Sequence, residues 1–512
     1  MTRRKALLLI IILIAAALRF YALGAKSLWL DEISSVRRVR GSFREMIAEV
    51  ALHDGHPPLY YALQYGAKVL GGGEATVRIP SALAGIALVY VAYRIARKLF
   101  DETAGLLAAG LCAVSAFQIY FSQEARPYTL AMLLAALSFL LFLRILEGEK
   151  VFEGGSGETV SKKFPPTTLH WITYTLVAAA MLYTYYYLAF ALLAEGIILL
   201  FSYRRAGPIF KKWLASRAVA AVLFAPYVPV VLGRMSGLPG APAQSSWDIL
   251  AAIPSAFVRM LTGIDLTWLQ PGAALTAVIY LAAFVPVGAA LFMLRKNRFA
   301  LVAALTYILV PVVAVVVLPW RLQIFEAKHL AFVSPVLLIL GTYAAARCTC
   351  RPPAWLAVGL LVFLNAFALS EYYGPQFQKE QWPQACSVIA DNARDGDGIF
   401  FNPYQLGYPY DFYYSEALRP MSIILVLHPQ PDKALAQLKQ AAAELKMAIA
   451  KFDRVWVVTE IDSNVAIRYP AQVSDVIRKT LAPASFHSAG GEIYQAEFPG
   501  HKGTIVVRLY AR

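Results

Sequence analysis

The sequence predicts an α-helical polytopic membrane protein with a C-terminal α/β domain, on three observations. Of 512 residues, 59% are hydrophobic and only 15% are charged, where an average soluble domain carries roughly 25% charge. The hydrophobic residues collect in runs long enough to cross a hydrocarbon core of about 30 Å as helices. From about residue 373 those runs shorten and the charge rises. A net charge of +15 is compatible with nucleic-acid binding. The basic residues, however, fall mostly in short connections between apolar runs, which is the pattern of membrane orientation, so no nucleic acid is expected. Four cysteines supply no disulfide framework, and Cys348 and Cys350 form a C-x-C with no second pair to complete a zinc site. No cofactor is expected, and metal dependence is left open.

The apolar runs divide into about eleven spans, near 5–23, 76–96, 103–122, 127–145, 168–184, 187–203, 213–233, 273–294, 299–319, 329–346 and 354–371. The first follows Thr2-Arg3-Arg4-Lys5. No small-residue cleavage site comes after it, so it reads as a retained anchor rather than a signal peptide. With the N-terminus in the cytoplasm, alternate loops carry Arg94, Arg97 and Lys98; Lys150, Lys162 and Lys163; Arg204, Arg205, Lys211 and Lys212; Arg295, Lys296 and Arg298; and Arg347 and Arg351. Every cluster then lies inside, as the positive-inside rule requires. The expected location is the plasma (inner) membrane, multi-pass, with the C-terminal domain extracytoplasmic.

The domain plan is a membrane part over 1–372 and a soluble α/β part over 373–512. Within the first, residues 24–75 form an outer platform. Pro57 to Leu70 is apolar but too short to span, and Phe43, Met46, Ile47 and Val50 repeat at helical spacing, so both segments read as interfacial helices. A second outer loop, 234–272, is amphipathic from Trp247 to Leu261 and is expected to act as a mobile cover. Glu147 to Pro166 reads as a cytoplasmic linker. In the soluble part Ile399-Phe400-Phe401, Ile423 to Leu427, Val455 to Val458 and Ile505 to Leu509 read as strands. Trp382 to Ala393 and Asp432 to Lys451 read as helices.

The chemistry-bearing residues collect on the outer side of this topology. Right after the first span comes Leu28-Trp29-Leu30-Asp31-Glu32. The Trp suits the interfacial belt, and an acid pair held at the bilayer surface suits acid–base chemistry on a lipid headgroup. With it lie His53, Asp54 and His56; Arg78; Gln123, Glu124, Arg126 and Tyr128; Tyr183, Tyr185, Tyr186 and Tyr187; and Arg321, Glu326, Lys328 and His329. Charges at the ends of apolar helices are costly and mark a functional site. Cations there stabilise a departing phosphate, and a carboxylate takes a proton from an attacking hydroxyl. Each piece has a plainer reading. The acid pair caps a helix beginning near Ile33, the arginines snorkel to headgroups, the tyrosines form an aromatic belt, and His53 to His56 is ordinary loop polarity. Convergence on one face favours the functional reading.

Five stretches carry a resemblance: S-L-W-L-D-E-I-S, H-P-P-L-Y-Y, V-R-I-P-S-A-L-A-G, S-Q-E-A-R-P-Y and K-H-L-A-F-V-S-P, in that order. Over about residues 1–370 the chain resembles the GT-C glycosyltransferases of the family 39 type, which include protein O-mannosyltransferases and lipid A aminoarabinose transferases. The resemblance implies transfer of one sugar from a polyprenyl-phosphate donor to an acceptor, with inversion. It implies Asp31 as general base and Glu32 shaping the substrate pocket. It implies donor-phosphate contacts from His56, Arg78, Arg126, Lys328 and His329; His53, Asp54, Glu124, Tyr128 and Tyr185 are candidate substrate contacts from their place in the outer polar constellation, not from the resemblance. Lys328-His329 stands where many relatives have Arg-Tyr, and Tyr185 where many have His, so the chain departs from the pattern at both places. The Trp-Trp-Asp motif of oligosaccharyltransferases is not in the sequence, which argues against en bloc glycan transfer. The acceptor is open: protein, lipid or glycan. The competing readings are a transporter or flippase for polyprenyl-linked glycans, which predicts related halves and mid-membrane breaks, and a membrane anchor for the C-terminal domain.

Overall fold

The computed structural model describes residues 3–149, 167–237, 245–317, 325–347, 351–375, 377–402, 406–414, 420–422, 451–462, 487–495 and 503–511. Helix α1 (Arg3–Phe20) is followed by α2 (Leu30–Arg38), α3 (Phe43–His53) and α4 (Leu59–Ala67), all short. Then come α5 (Glu74–Leu99), α6 (Glu102–Val114), α7 (Ala116–Ser122), α8 (Tyr128–Gly148), α9 (Thr168–Leu182), α10 (Leu188–Phe201), α11 (Tyr203–Phe224), α12 (Val228–Gly237), α13 (Ser246–Thr262), α14 (Leu266–Leu269), α15 (Ala273–Leu294), α16 (Arg298–Val317), α17 (Ser334–Arg347) and α18 (Arg351–Tyr373). Each apolar run of the sequence is therefore helical. Among the described residues seven helical stretches are long and apolar enough to cross a membrane, or eight if the bent pair α6–α7 is one span. Helices α9 and α10 are shorter, and the 18-residue α1 carries Arg3, Arg4, Lys5 and Arg19.

By packing, the described residues divide into two units: those of Met1–Leu23, Arg38–Leu238 and Ala243–Gly374, and those of Gly24–Arg37, Pro239–Pro242 and Pro375–Arg512. In the first unit small residues let helices approach, as helix association in lipid demands. Ala92 and Ala96 of α5 and Ala104 and Ala108 of α6 are all buried. A Cβ on Gly105 would lie 3.0 Å from the Tyr93 carbonyl and ring.

Polar side chains fasten this bundle at three places. The run expected as one span over 103–122 is broken by 57° between α6 and α7. Ser115 leaves the helix there (φ −62°, ψ 111°) and its hydroxyl accepts from the Gln118 amide. Asn365 on α18 accepts the freed Ala116 N–H at 2.9 Å and donates to the carbonyls of Leu261 (2.8 Å) and Leu361 (2.9 Å). The exit of α1 is held by Gln123, whose amide donates to the carbonyls of Arg19 (3.1 Å) and Tyr21 (2.8 Å). Deep in the bundle, Glu195 of α10 accepts from Ser138 (2.8 Å), Tyr174 (2.6 Å) and Tyr307 (3.2 Å), with Arg217 at 3.9 Å. One carboxylate so joins α8, α9, α11 and α16. A polar group within apolar helices is tolerated when neighbouring helices satisfy it in this way.

Helix α3 starts with a capping box. The Ser42 amide donates to the Glu45 carboxylate at 2.7 Å, and the Glu45 amide to the Ser42 hydroxyl at 3.3 Å. Its Met46 and Val50 bury against Tyr61 of α4 and Val39. Helix α4 has nine residues, roughly 14 Å at 1.5 Å per residue, too short to span. Helix α13 buries Ile249, Ile253, Val258, Met260 and Leu261 in the main apolar core. Gly263 ends it at φ +75°, where a Cβ would come within 2.5 Å of the Ala116 methyl. Within the outer loop expected over 234–272, α13 packs its apolar stripe against α15 and α17; residues 238–244 lie outside the described residues.

In the second unit α19 (Trp382–Asn392) and α20 (Gly407–Tyr413) accompany β1 (Gly398–Asn402), β2 (Pro420–Ser422), β3 (Arg454–Asp462), β4 (His487–Gln495) and β5 (Gly503–Ala511). The sheet order is β2-β1-β3-β5-β4. Strand β1 runs parallel to β2 and β3, with Phe400 opposite Val457, and β5 runs antiparallel to β3 and β4. The strand expected at Ile423 to Leu427, the helix expected at Asp432 to Lys451, most of the linker at Glu147 to Pro166, and Arg321, Cys348 and Cys350 lie outside the described residues.

Candidate active site

Helix α3 ends at Asp54, and the loop into α4 begins there. Asp54 is 4% exposed. Its carboxylate pairs with Arg38 at 3.0 Å and with His56 Nδ1 at 3.0 Å, and accepts the His56 amide at 2.8 Å. The amide bond closes the loop locally, as an Asp side chain does when it bonds two residues on. Burial works to raise the Asp54 carboxyl. The hydrogen bond and charge of His56, with the charges of Arg126 and Arg38, outweigh it and hold the group well below the usual carboxylate range. Asp54 is therefore an anion that orders cations. Arg126, in the loop between α7 and α8, brings Nη2 to 3.3 Å from His56 Nδ1. One ring nitrogen either donates to the carboxylate or accepts from the guanidinium, so the His56 tautomer selects its partner.

Rings extend this cluster. His56 stacks on Tyr185 (5.4 Å between centres, 16°), Tyr185 on Tyr187 (5.3 Å, 29°), and Tyr187 on His329 (4.9 Å, 1°). Tyr128 presents its edge to both His56 and Tyr185, at 5.8 and 5.9 Å. The Tyr128 ring also lies under two cations, Arg126 at 5.9 Å and Lys328 at 6.0 Å, within the reach of cation–π attraction. Lys328 pairs with Glu326 at 2.8 Å. Burial pushes the Tyr185 phenol up, and its hydroxyl is buried with no hydrogen-bond partner among the described residues. Arg234, at the end of α12, ties in the platform by donating to the carbonyls of Val50 and Ala51, the latter at 2.9 Å.

Of the residues expected at the site, Asp54, His56, Arg126, Tyr128, Tyr185, Lys328 and His329 therefore meet in the first unit. Three others have partners of their own. His53 is exposed and pairs with Glu49 one turn back at 3.3 Å. Arg78 is buried and donates to the Leu23 carbonyl at 2.9 Å, at the exit of α1. Glu124 is buried and shares a hydrogen bond with Tyr120. Arg38 and Tyr187 also belong to the cluster; Arg38 did not stand out in the sequence, and Tyr187 was noted with the outer tyrosines without a role of its own. Arg38 sits in a polar stretch, and Tyr187 passed for belt.

The acid pair belongs to the second unit. Helix α2 begins at Leu30 rather than near Ile33, so Asp31 and Glu32 occupy its first turn. The helix start is capped from a distant part of the chain: the Leu30 amide donates to the Glu380 carboxylate at 2.8 Å. Trp382 Nε1 also donates to Glu380. Glu32 is fully buried and paired with a fully buried Lys379 at 2.9 Å. Asp31 is half-buried beside it. Glu380 thus shares the capping role considered for the acids with Glu32, whose carboxylate accepts the Trp29 amide at 3.5 Å. Lys379 and Glu380 were not legible as partners, because they sit some 350 residues away in a stretch without motif.

Comparison with known proteins agrees with this architecture. The sequence profile described as dolichyl-phosphate-mannose-protein mannosyltransferase matches residues 55–154, the stretch from the loop beside Asp54 through α8. No curated protein sequence matches the chain. Among solved structures, ArnT from Cupriavidus metallidurans in the apo state is similar with a TM-score of 0.56 at 12% identity, over 99% of this chain and 98% of that one. The same enzyme bound to undecaprenyl phosphate gives 0.52 at 14% identity, over 98% and 97%. An oligosaccharyltransferase from Archaeoglobus fulgidus, in complex with Zn and sulfate, gives 0.50 at 13% identity, over 97% and 73%. The chain is a multi-pass membrane protein with the GT-C fold, similar in residues 55–154 to the dolichyl-phosphate-mannose-protein mannosyltransferases.

Proposed function

We propose that the chain is an integral-membrane glycosyltransferase that moves a single sugar from a polyprenyl-phosphate donor to a protein, lipid or glycan acceptor on the extracytoplasmic face. The observation that carries this reading is the gathering of Arg126, His56 and Lys328 around the rings of Tyr128 and Tyr185 at the ends of apolar helices. A lipid phosphate has its chain in the bilayer and its charge at the surface. Cations fixed at helix ends against an aromatic wall suit that division. Undecaprenyl phosphate bound to the similar ArnT supports the donor class.

In this mechanism the acceptor oxygen attacks the anomeric carbon from the face opposite the phosphate, which inverts the centre. Asp31, in the first turn of α2, takes the acceptor proton. The bond from the anomeric carbon to the phosphate oxygen breaks, and its electron pair leaves on polyprenyl phosphate. Arg126, Lys328 and His56 stabilise the charge that builds there. Asp54 keeps Arg38 and His56 in place behind them. The buried Tyr185 hydroxyl donates to a donor oxygen. Arg78, which also holds the exit of α1, is a further donor-phosphate contact.

The test is loss of sugar from labelled polyprenyl-phosphate donors in membranes holding matched amounts of wild type or Asp31→Asn. Wild type is expected to consume donor, and the variant to do so at least about 100-fold more slowly, the typical contribution of a positioned base. Equal consumption by the two proteins refutes Asp31 as base.

A further inference from the structure

We propose that Lys379 is a positioning residue for the reaction: its buried ion pair with Glu32 sets the first turn of α2, and so aims Asp31 at the acceptor. The proposal rests on the reading of Asp31 as base. It adds that the segment following the last apolar helix builds the acid site.

The observations are local and independent of each other. Lys379 and Glu32 are both fully buried, 2.9 Å apart. One residue on, Glu380 caps the Leu30 amide at 2.8 Å, and its own carbonyl accepts the Ser27 hydroxyl at 2.7 Å. Lys26 donates to the Phe377 carbonyl at 2.7 Å, and the Leu28 amide donates to the Tyr413 hydroxyl at 3.0 Å. Arg37 lies 4.2 Å from the Tyr408 ring centre, near the other end of the helix. Phe377, Lys379, Glu380, Tyr408 and Tyr413 so grip the acid-bearing segment from Lys26 to Arg37 along its length. A nine-residue helix is too short to hold its own direction in water, so its orientation comes from such contacts. Among them only the Lys379–Glu32 bond is a fully buried charge pair, and it reaches the residue next to Asp31. Removing one partner leaves a buried charge uncompensated, which the helix relieves by moving its first turn. A shift of about 1 Å in a base costs on the order of 100-fold in rate.

The test uses the full-length protein in membranes and follows donor consumption for Lys379→Met, Lys379→Arg, Glu32→Gln and the double variant Glu32→Gln/Lys379→Met. Lys379→Met is expected to lower kcat about 100-fold with the donor KM within about threefold. Lys379→Arg is expected to recover most of that loss. In the Glu32→Gln background Lys379→Met should cost less than about threefold, since the charge it would strand is gone. Hydrogen exchange at Leu30 to Ile33 should rise in Lys379→Met and not in the double variant. The proposal is overturned if folded Lys379→Met keeps wild-type kcat, if its losses simply add to those of Glu32→Gln, or if the double variant fails to fold. Asp31→Asn is run alongside. If it is active while Lys379→Met is not, the assignment of the base fails and the coupling of Lys379 to Glu32 stands as a separate result.

Discussion

Asp54 shows how much a single residue organises here. It is buried, yet ionised, because two guanidinium groups and the His56 ring converge on it. A carboxyl whose folded value is depressed contributes stability above its unfolded value of about 3.9, and loses that contribution as pH falls toward the folded value. Wild-type protein in detergent is therefore expected to hold its melting temperature from neutral pH to about pH 4 as far as this group is concerned, and to lose stability below it. Asp54→Asn keeps the shape and removes the charge. It should cost about 3–5 kcal/mol at neutral pH, as for a buried pair that loses one partner, and flatten the acid limb of the melting curve. A variant with wild-type stability at pH 7 contradicts this account. Part of the arrangement was legible: His-Asp-Gly-His stood out as a polar loop at the membrane surface. Nothing in those residue types separates His53, which turns to Glu49 at helical spacing, from His56, which turns inward. That choice depends on Arg38 and Arg126, which only the folded chain brings to Asp54.

At the scale of elements, hydrophobic periodicity located the helices, and buried side chains decided how they end. The α6–α7 run is mostly apolar, so length made it one span, while Ser115 and Asn365 make it two. Asn365 satisfies one backbone donor and two backbone acceptors across α7, α13 and α18. Asn365→Leu fills the space and leaves the Ala116 amide and the Leu261 carbonyl unpaired. Each such buried group costs about 1–3 kcal/mol, so the variant should melt several degrees lower, which a thermal-shift assay in detergent reads directly; an unchanged transition would mean the break is held by Ser115 alone. The strands were legible where β-branched and aromatic residues alternate, as in β1, β3 and β5. Strand β4 was not, because its first half is His487-Ser488-Ala489-Gly490-Gly491, with a register shift between Ser488 and Gly490. Glycine-rich, bulged strands carry little side-chain signal. Glu195 escaped notice for a similar reason: a single acid inside an apolar run shows its worth only when four other helices deliver hydroxyls and a guanidinium to it.

For the whole molecule, the fold followed from apolar runs and the ordered motifs, whereas the direction of the chain across the bilayer rests on the distribution of Lys and Arg. That argument is physical: basic residues resist translocation, so short loops rich in them stay inside. It predicts that the turn at Arg295 and Lys296 faces the cytoplasm and that the C-terminal unit, with the acid pair grouped in it, faces out. Both ends of the prediction have exposed positions to probe, Lys296 between α15 and α16 and Asp395 between α19 and β1. Cys112 and Cys386 are buried, so a background with Cys348→Ser and Cys350→Ser is expected to be nearly silent to thiol reagents. In sealed right-side-out vesicles, Asp395→Cys should react with a membrane-impermeant maleimide at once, and Lys296→Cys only after detergent is added. The reverse pattern would place the acid pair on the cytoplasmic side. A donor carried on the outer leaflet would then lie out of reach, and the proposed transfer would have to draw on a cytoplasmic-leaflet donor instead.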